Sequence, residues 1–366
     1  MYSKELSSIK KANRFRTREL FSDDLIDLAS NDYLGLSTNK TLFQNAYERV
    51  LKQKFHSPKA SMLVNGYSQI HNEFENKLCE INGFESAISV GSGFLANISM
   101  IEALCRKNDT LFIDEDYHAS GILATKLLKP EQVIVFKHND YKDLENKLNE
   151  NERKGRDVIA IEGVYSMGGD LAPIEIFELA NKTNSLLIVD EAHSSGVIGD
   201  NLLGIFDLYK IKPSQNHIKM GTLGKAYGSY GAYILASKEI IDFLTNRAKP
   251  IIYSTAPSLF DIALGLESLN FIQENKVQLK KRIKENLAVI DEMLNIKSQS
   301  LIIPIVFGDN KKVKDIQTIL KKKNFLVGAI RQPTVKEAII RLIAKIDVDL
   351  ENLTDVCKTL QELKWE

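Results

Sequence analysis

Short apolar runs that alternate with amphipathic stretches constrain this chain more than any other feature. LFI at 111–113, VIVF at 133–136, VIAI at 158–161, LLIV at 186–189 and AYILA at 232–236 recur between about residue 85 and 240. Runs this short and this continuously apolar read as strands buried on both faces. The segments between them, such as YKDLENKLNE and APIEIFELANKT, carry helical periodicity. Strand, helix, strand in that order predicts a mainly parallel sheet with right-handed crossovers in a large α/β lobe. Around 258–295 the pattern becomes long and helical, and then LIIPIVFGD, FLVGAI and IIRLIAKI alternate with VKDIQTILKKK and DLENLTDVCKTLQELK. A second, smaller α/β lobe follows. The 366 residues suit two lobes, since domains usually run ~100–200 residues. We expect an N-terminal arm over 1–40, a large domain over 41–255 and a small C-terminal domain over 256–366, joined near 250–260 by the start of a crossing helix.

Composition narrows the function. Lys plus Arg and Asp plus Glu both count 48, so no long-range field draws in nucleic acid or an acidic membrane, and an anionic ligand must be met by local charge. Cys79, Cys105 and Cys357 are odd in number, far apart and without CxxC spacing, which argues against a disulfide framework and a metal site. The N-terminal MYSKELSSIKKANRFRTREL lacks the apolar core of a signal peptide, and no later stretch reaches ~20 apolar residues. A cytoplasmic protein without membrane spans is expected.

In open parallel sheets ligands bind beyond the carboxyl ends of the strands, so the residues after each apolar run are the ones to inspect. In VDEAHSSGVIG the run LLIV ends directly in Asp190 and continues to His193. A carboxylate there is either a turn or cap residue, or the partner of a cation such as a protonated pyridine nitrogen. In KMGTLGKAYGSYG a glycine-rich turn carries Thr222 and Lys225. Lys225 is either a solvated loop residue or an imine-forming amine, and its small neighbours would let a planar cofactor approach the backbone. SVGSGFLANISMIEAL opens a helix after a glycine-rich turn, an ordinary tight turn or a phosphate site at a helix N-terminus. It has neither P-loop nor dinucleotide spacing. His118 in IDEDYHASG and Ser166 in IEGVYSMGGD follow two further strands; each alone is as consistent with a structural hydrogen bond as with chemistry.

Taken together, SNDYLGLS, EGVYSMGGDLAP, VDEAHSSGVIG and TLGKAYGS resemble the α-oxoamine synthases of pyridoxal-phosphate (PLP) fold type I, over essentially the whole chain. The resemblance implies the PLP-dependent transferase fold, a homodimer with shared active sites, and PLP held as an imine on Lys225. It implies that Asp190 pairs with the pyridinium nitrogen, that His118 stacks on the ring, and that His193 and Ser166 reach the phenolic oxygen. The phosphate is expected at Gly93, Phe94 and Thr222, with Ser254 or Thr255 of YSTAP contributed by a second subunit. Arg341 matches the arginine that grips the amino acid carboxylate, Thr334 a substrate contact, and Arg14 an N-terminal substrate arginine, with Arg16 and Arg18 close by. The other reading of Arg341 is a pair with a carboxylate such as Asp347.

Two departures stand out. SPKASMLVNGYSQIH replaces a glycine-rich stretch, so Lys59 and Met62 bear on how the acyl chain or CoA is received. Ile339 stands where the family often has a second arginine, leaving one guanidinium, enough for a bidentate fork. The implied reaction is decarboxylative condensation of an amino acid with an acyl thioester. AIRQPTV and ASNDYLGLS point to the biotin-pathway member, which takes L-alanine and pimeloyl-CoA or a pimeloyl-carrier protein. The alternatives are the glycine-using 2-amino-3-ketobutyrate CoA ligase and 5-aminolevulinate synthase, separated by one methyl worth ~1–3 kcal/mol in a pocket. A catalytically silent partner subunit of the same fold should have lost the lysine.

Overall fold

The computed structural model describes residues 1–152 and 154–365. The chain divides into two compact units, one of Met1–Tyr33, Met167–Gly169 and Lys281–Glu366, the other of Leu34–Ser166 and Asp170–Lys280. The N-terminal segment thus groups with the C-terminal one. The 36-residue helix Leu259–Leu294 begins in the larger unit and ends in the smaller.

A three-residue strand, β1 (Ile26–Leu28), belongs to the smaller unit. The larger unit holds β2 (Ser86–Val90), β3 (Thr110–Asp114), β4 (Val133–Phe136), β5 (Asp157–Glu162), β6 (Leu186–Asp190), β7 (His217–Thr222) and β8 (Ala232–Ala236). They form one sheet in the order β2-β8-β7-β6-β5-β3-β4. β4, β3, β5, β6 and β7 pair in parallel, whereas β8 runs antiparallel to both β7 and β2. The reason is local. A parallel return needs a crossover of a dozen or more residues, and the connection from Thr222 to Ala232 is too short to supply one.

Every residue of β5, β6 and β8 is buried, as continuous apolar runs covered on both faces require. Helix Gly93–Leu104 lays Ala96, Met100, Ile101 and Leu104 against Val90, Ile218, Met220 and Ile234. Burying one such Leu, Ile or Met contributes roughly 1.5–3 kcal/mol. Asp140 caps helix Tyr141–Glu150 by accepting from the N–H groups of Lys142 and Asp143 at 3.1 and 3.0 Å. Apolar strand interiors and capped crossover helices leave the chemistry-bearing residues at the strand ends. Asp114, Glu162, Asp190 and Thr222 are the last residues of β3, β5, β6 and β7.

In the smaller unit β9 (Ile302–Gly308), β10 (Phe325–Ile330) and β11 (Ala338–Ile343) join β1 in the order β1-β10-β11-β9. β11 is antiparallel to both neighbours, and β1 adds to β10 in parallel. Among the described residues no helix is long and apolar enough to cross a membrane. Nor does any group of three or more His, Cys, Asp or Glu among them form a metal site.

Candidate active site

A cavity of about 180 Å³ opens at the carboxyl ends of the larger unit's strands, lined by Gly93, Phe94, Asn97, His118, Glu162 and Asp190 and, beyond them, Ala192, His193, Met220, Thr222 and Lys225. Seven residues singled out from the sequence therefore come together: Gly93, Phe94, His118, Asp190, His193, Thr222 and Lys225. Ser166 is buried close by, its N–H donating to Glu162 Oε2 at 3.1 Å, but does not line the cavity. Ser254 and Thr255 lie outside it, between helices Lys249–Ile252 and Leu259–Leu294.

Lys225 sits on a loop whose shape is set by glycine. Gly228 has φ +58 and donates to the Lys225 carbonyl at 2.9 Å, and a Cβ on it would stand 2.6 Å from Ser37 N and 2.7 Å from Leu36 C. The LGLS end of one sequence motif thus abuts the lysine loop of another. Lys225 Nζ lies 2.7 Å from His193 Nε2. An ammonium only donates, so with Lys225 protonated His193 accepts at Nε2 and carries its own proton on Nδ1. A second lysine, Lys219 on β7, is fully enclosed: its Nζ donates to Asn82 Oδ1 at 2.8 Å and to the Leu203 carbonyl, 3.8 Å from Glu191. It does not line the cavity.

Asp190 is 4% exposed and accepts from Asn97 Nδ2 at 2.8 Å and from Ala192 N at 3.0 Å. Asn97 is the hub of a wider network. Its other amide hydrogen goes to Ser120 Oγ (2.9 Å), while its carbonyl accepts from Tyr117 Oη (2.7 Å). Ser120 N and Oγ lie 3.2 and 2.7 Å from His118 Nδ1. A backbone N–H can only donate, so Nδ1 is the acceptor and the imidazole's proton is on Nε2. Burial and the neighbouring Lys225 charge lower the His118 pKa, against the opposing pull of Asp190. The ring is held neutral with one donor left to use.

At the opposite wall Ser92 caps helix Gly93–Leu104, accepting from Leu95 N at 3.3 Å, and the first N–H groups of the helix have no intrahelical acceptor. A Cβ on Gly93 would stand 3.8 Å from Thr222 Cβ and Met220 Sδ, between two lining residues. The Thr222 hydroxyl itself donates to the Gly231 carbonyl at 2.9 Å.

In the smaller unit Arg341 lies in the middle of β11, 5% exposed, and donates from Nη1 to Asn31 Oδ1 at 3.0 Å. Asp347 lies 3.6 Å from Lys345 Nζ, which also donates to Asp27 at 3.0 Å. Thr334 accepts at Oγ1 from Arg16 Nη2 at 3.2 Å, so Arg16, two residues from the expected Arg14, makes this contact. Arg14 is exposed. The departing segment closes as a π-helical turn over Met62–Gly66, with Gly66 N donating to Ser61 O at 2.9 Å. Ala60 O accepts from Ala256 N at 3.0 Å, tying this turn to YSTAP, and Lys59 Nζ stands 4.1 Å over the Phe55 ring.

Sequence reasoning missed Asn97, Glu162 and Asn31. Glu162 was open to discovery by the signal that found Asp190, a carboxyl at the mouth of a strand buried on both faces. Asn97 was not, because a polar residue inside a helix declares nothing about its partners.

Residues 23–360 match the family model for aminotransferase class I and II. The 8-amino-7-oxononanoate synthase of Helicobacter pylori strain J99 is 47% identical over 361 residues, 98% of this chain and 96% of that protein. A putative 8-amino-7-oxononanoate synthase of Aquifex aeolicus is 38% identical, covering 98% and 97%. Among solved structures, the 8-amino-7-oxononanoate synthase of Francisella tularensis superposes with TM-score 0.77 at 26% identity over 94% of this chain and 99% of that one. A serine palmitoyltransferase of S. paucimobilis, solved with PLP and myriocin, reaches TM-score 0.89 at 21% identity over 98% and 96%.

Proposed function

The chain belongs to the aminotransferase class I and II family, and from that premise we infer that it is a PLP enzyme of biotin biosynthesis, condensing L-alanine with a pimeloyl thioester to 8-amino-7-oxononanoate with loss of CO2. The observation that carries this is the set of donors in one cavity. PLP demands an amine for its aldehyde, a carboxylate for its pyridine nitrogen and an anion site for its phosphate. Lys225, Asp190 and the N-terminus of helix Gly93–Leu104 supply that set, with Gly93, Met220 and Thr222 lining the cavity at that helix end. The residues fit the group.

Bound there, PLP supplies an electron sink for a carbanion at the amino acid's α-carbon. Lys225 would hold it through Nζ, and the same amine, when free, would accept the α-proton of alanine. His193, 2.7 Å away, orients the amine and shares its proton. Asp190, fixed by Asn97 and the Ala192 N–H, presents negative charge to the ring nitrogen. His118, which lines the cavity, would stack on the ring with its Nε2–H available to the acyl carbonyl. His193 would face the phenolic oxygen with Ser166 behind the cavity wall, and Thr222 would line the phosphate site while its hydroxyl stays on the Gly231 carbonyl. Arg341, braced by Asn31, takes the alanine carboxylate, and Thr334 with Arg16 or Arg14 contacts substrate.

The proposal includes a homodimer in which Ser254 or Thr255 reaches the partner's phosphate site. Two exposed aromatics support it, Tyr253 next to Ser254 at 80% and Phe94 of the cavity lining at 44%. Three free cysteines suit a reducing cytoplasm. The test is release of CO2 and free thiol with alanine, glycine and serine, each against pimeloyl-CoA and a pimeloyl-carrier protein. Alanine with a pimeloyl thioester should give the highest kcat/KM. A preference for glycine would assign the chain to the glycine-using relatives.

A further inference from the structure

Glu162 is the one carboxyl at the cavity that nothing above employs. It ends β5 as Asp190 ends β6, and the two are register partners on adjacent parallel strands. Both are buried, at 1% and 4% exposure, and both line the cavity. Their hydrogen bonds differ. Asp190 is met by two N–H donors, one on each oxygen. Glu162 is met by one, the Ser166 N–H on Oε2, while Oε1 is buried with no hydrogen-bond partner among the described residues.

We propose that Glu162 is a neutral carboxylic acid in the folded protein, with its proton on Oε1, and that this O–H donates to the phenolic oxygen of bound PLP. Two neighbouring carboxyls cannot both ionise cheaply, and the proton settles on the one with fewer donors. An ionised Oε1 with no donor would carry the full desolvation cost of a buried charge, whereas a protonated one turns that oxygen into a donor. The groups facing Glu162 agree. Burial and Asp190 raise its pKa well above the usual carboxylate range, Asp114 on β3 adds to the rise, and Lys225 and the Ser166 N–H oppose it. Toward the phenolic oxygen, which bears negative charge, a neutral O–H attracts where a carboxylate would repel. Ser166 then acts from behind, its N–H fixing Oε2 so that Oε1 faces the cavity. The donor role rests on the PLP reading; the protonation state does not.

The experiment compares wild type, Glu162→Gln and Glu162→Leu proteins at pH 7, each with and without PLP. Difference infrared spectra between wild type and Glu162→Gln should show the loss of a protonated-carboxyl C=O stretch; loss of carboxylate bands instead overturns the proposal. PLP dissociation constants from equilibrium dialysis, with the cofactor's visible band, read the donor role. Glu162→Gln keeps an uncharged donor, so it should stay within about threefold of wild type with an unshifted band. Glu162→Leu should bind PLP about ten- to a hundredfold more weakly, the scale of one hydrogen bond to a charged group. Glu162→Gln as weak as a tenfold loss, or shifted like Glu162→Leu, overturns the donor role, and this arm decides even where Glu162→Leu does not fold. A wild-type protein that binds no PLP sinks the cofactor reading and the donor role together, while the infrared result still decides the proton.

Discussion

At Asp190 each carboxylate oxygen meets its own donor, Ala192 N on Oδ1 and Asn97 Nδ2 on Oδ2. Asp190→Asn therefore does more than remove a charge. One amide hydrogen must then face a donor, at a stability cost of about 1–3 kcal/mol, unless Asn97 turns over and gives up its bond from Tyr117. The variant should fold with a lowered Tm and lose about 10²–10³-fold in kcat, the scale for removing one preorganised electrostatic partner. Alanine α-proton exchange at the wild-type rate in Asp190→Asn would remove the ring-nitrogen role. Arg341 makes a different kind of claim, because it donates to a neutral side chain, that of Asn31. Arg341→Ala should weaken alanine about ten- to a hundredfold while leaving PLP bound. Arg341→Lys should recover only part, since an ammonium cannot present a two-pronged fork. Titration of alanine against the cofactor's spectrum measures both, and unchanged affinity would make Arg341 a structural residue of β11.

Between the ends of β3 and β4 a charged clamp secures the turn that carries Ser166. His138 Nδ1 lies 3.0 Å from Asp114, and Nε2 lies 2.7 Å from Asp170, with Asp116 at 4.0 Å and the Tyr165 ring edge-on at 4.3 Å. Burial alone would lower the His138 pKa, but hydrogen bonds and charge from Asp114 and Asp170 outweigh it and raise it to about 10. An unfolded histidine titrates near ~6.5. Because the folded value is the higher one, the clamp's contribution is complete below about pH 6.5 and is lost as pH rises through about 10. Urea unfolding of wild type at pH 6, 8 and 10 should show falling stability, and His138→Gln should flatten that fall. Parallel slopes would place the titration elsewhere. This clamp was invisible in the sequence, since Asp114, His138 and Asp170 meet only after three strands align. The strands themselves were legible, because covering a sheet on both faces forces continuous apolar runs. β1 escaped, as IDL is too short to show a period, and so did the reversal of β8, which depends on loop length rather than on side chains.

Across the whole molecule the residues proposed to hold the cofactor and those proposed to contact the amino acid fall in different units. Gly93, His118, Asp190 and Lys225 belong to the larger unit, whereas Arg341, Thr334 and the N-terminal arginines belong to the smaller. The motif SNDYLGLS straddles the boundary at Tyr33 and Leu34, which is why its Asn31 braces Arg341 while its Leu36 and Ser37 abut the lysine loop. With 48 residues of each charge, attraction of an anionic cofactor falls to local donors, and among the described residues that line the cavity one, Lys225, is a lysine. Lys219 is the natural control, a lysine six positions upstream whose amine is sealed by Asn82, Leu203 and Glu191. Borohydride reduction of the PLP-loaded protein, followed by peptide mapping, tests the central claim directly. The cofactor should be found on Lys225 alone, and Lys225→Ala should carry no tag, no visible band and no turnover. A tag on Lys219 or any other lysine would contradict the assignment of this cavity as the PLP site.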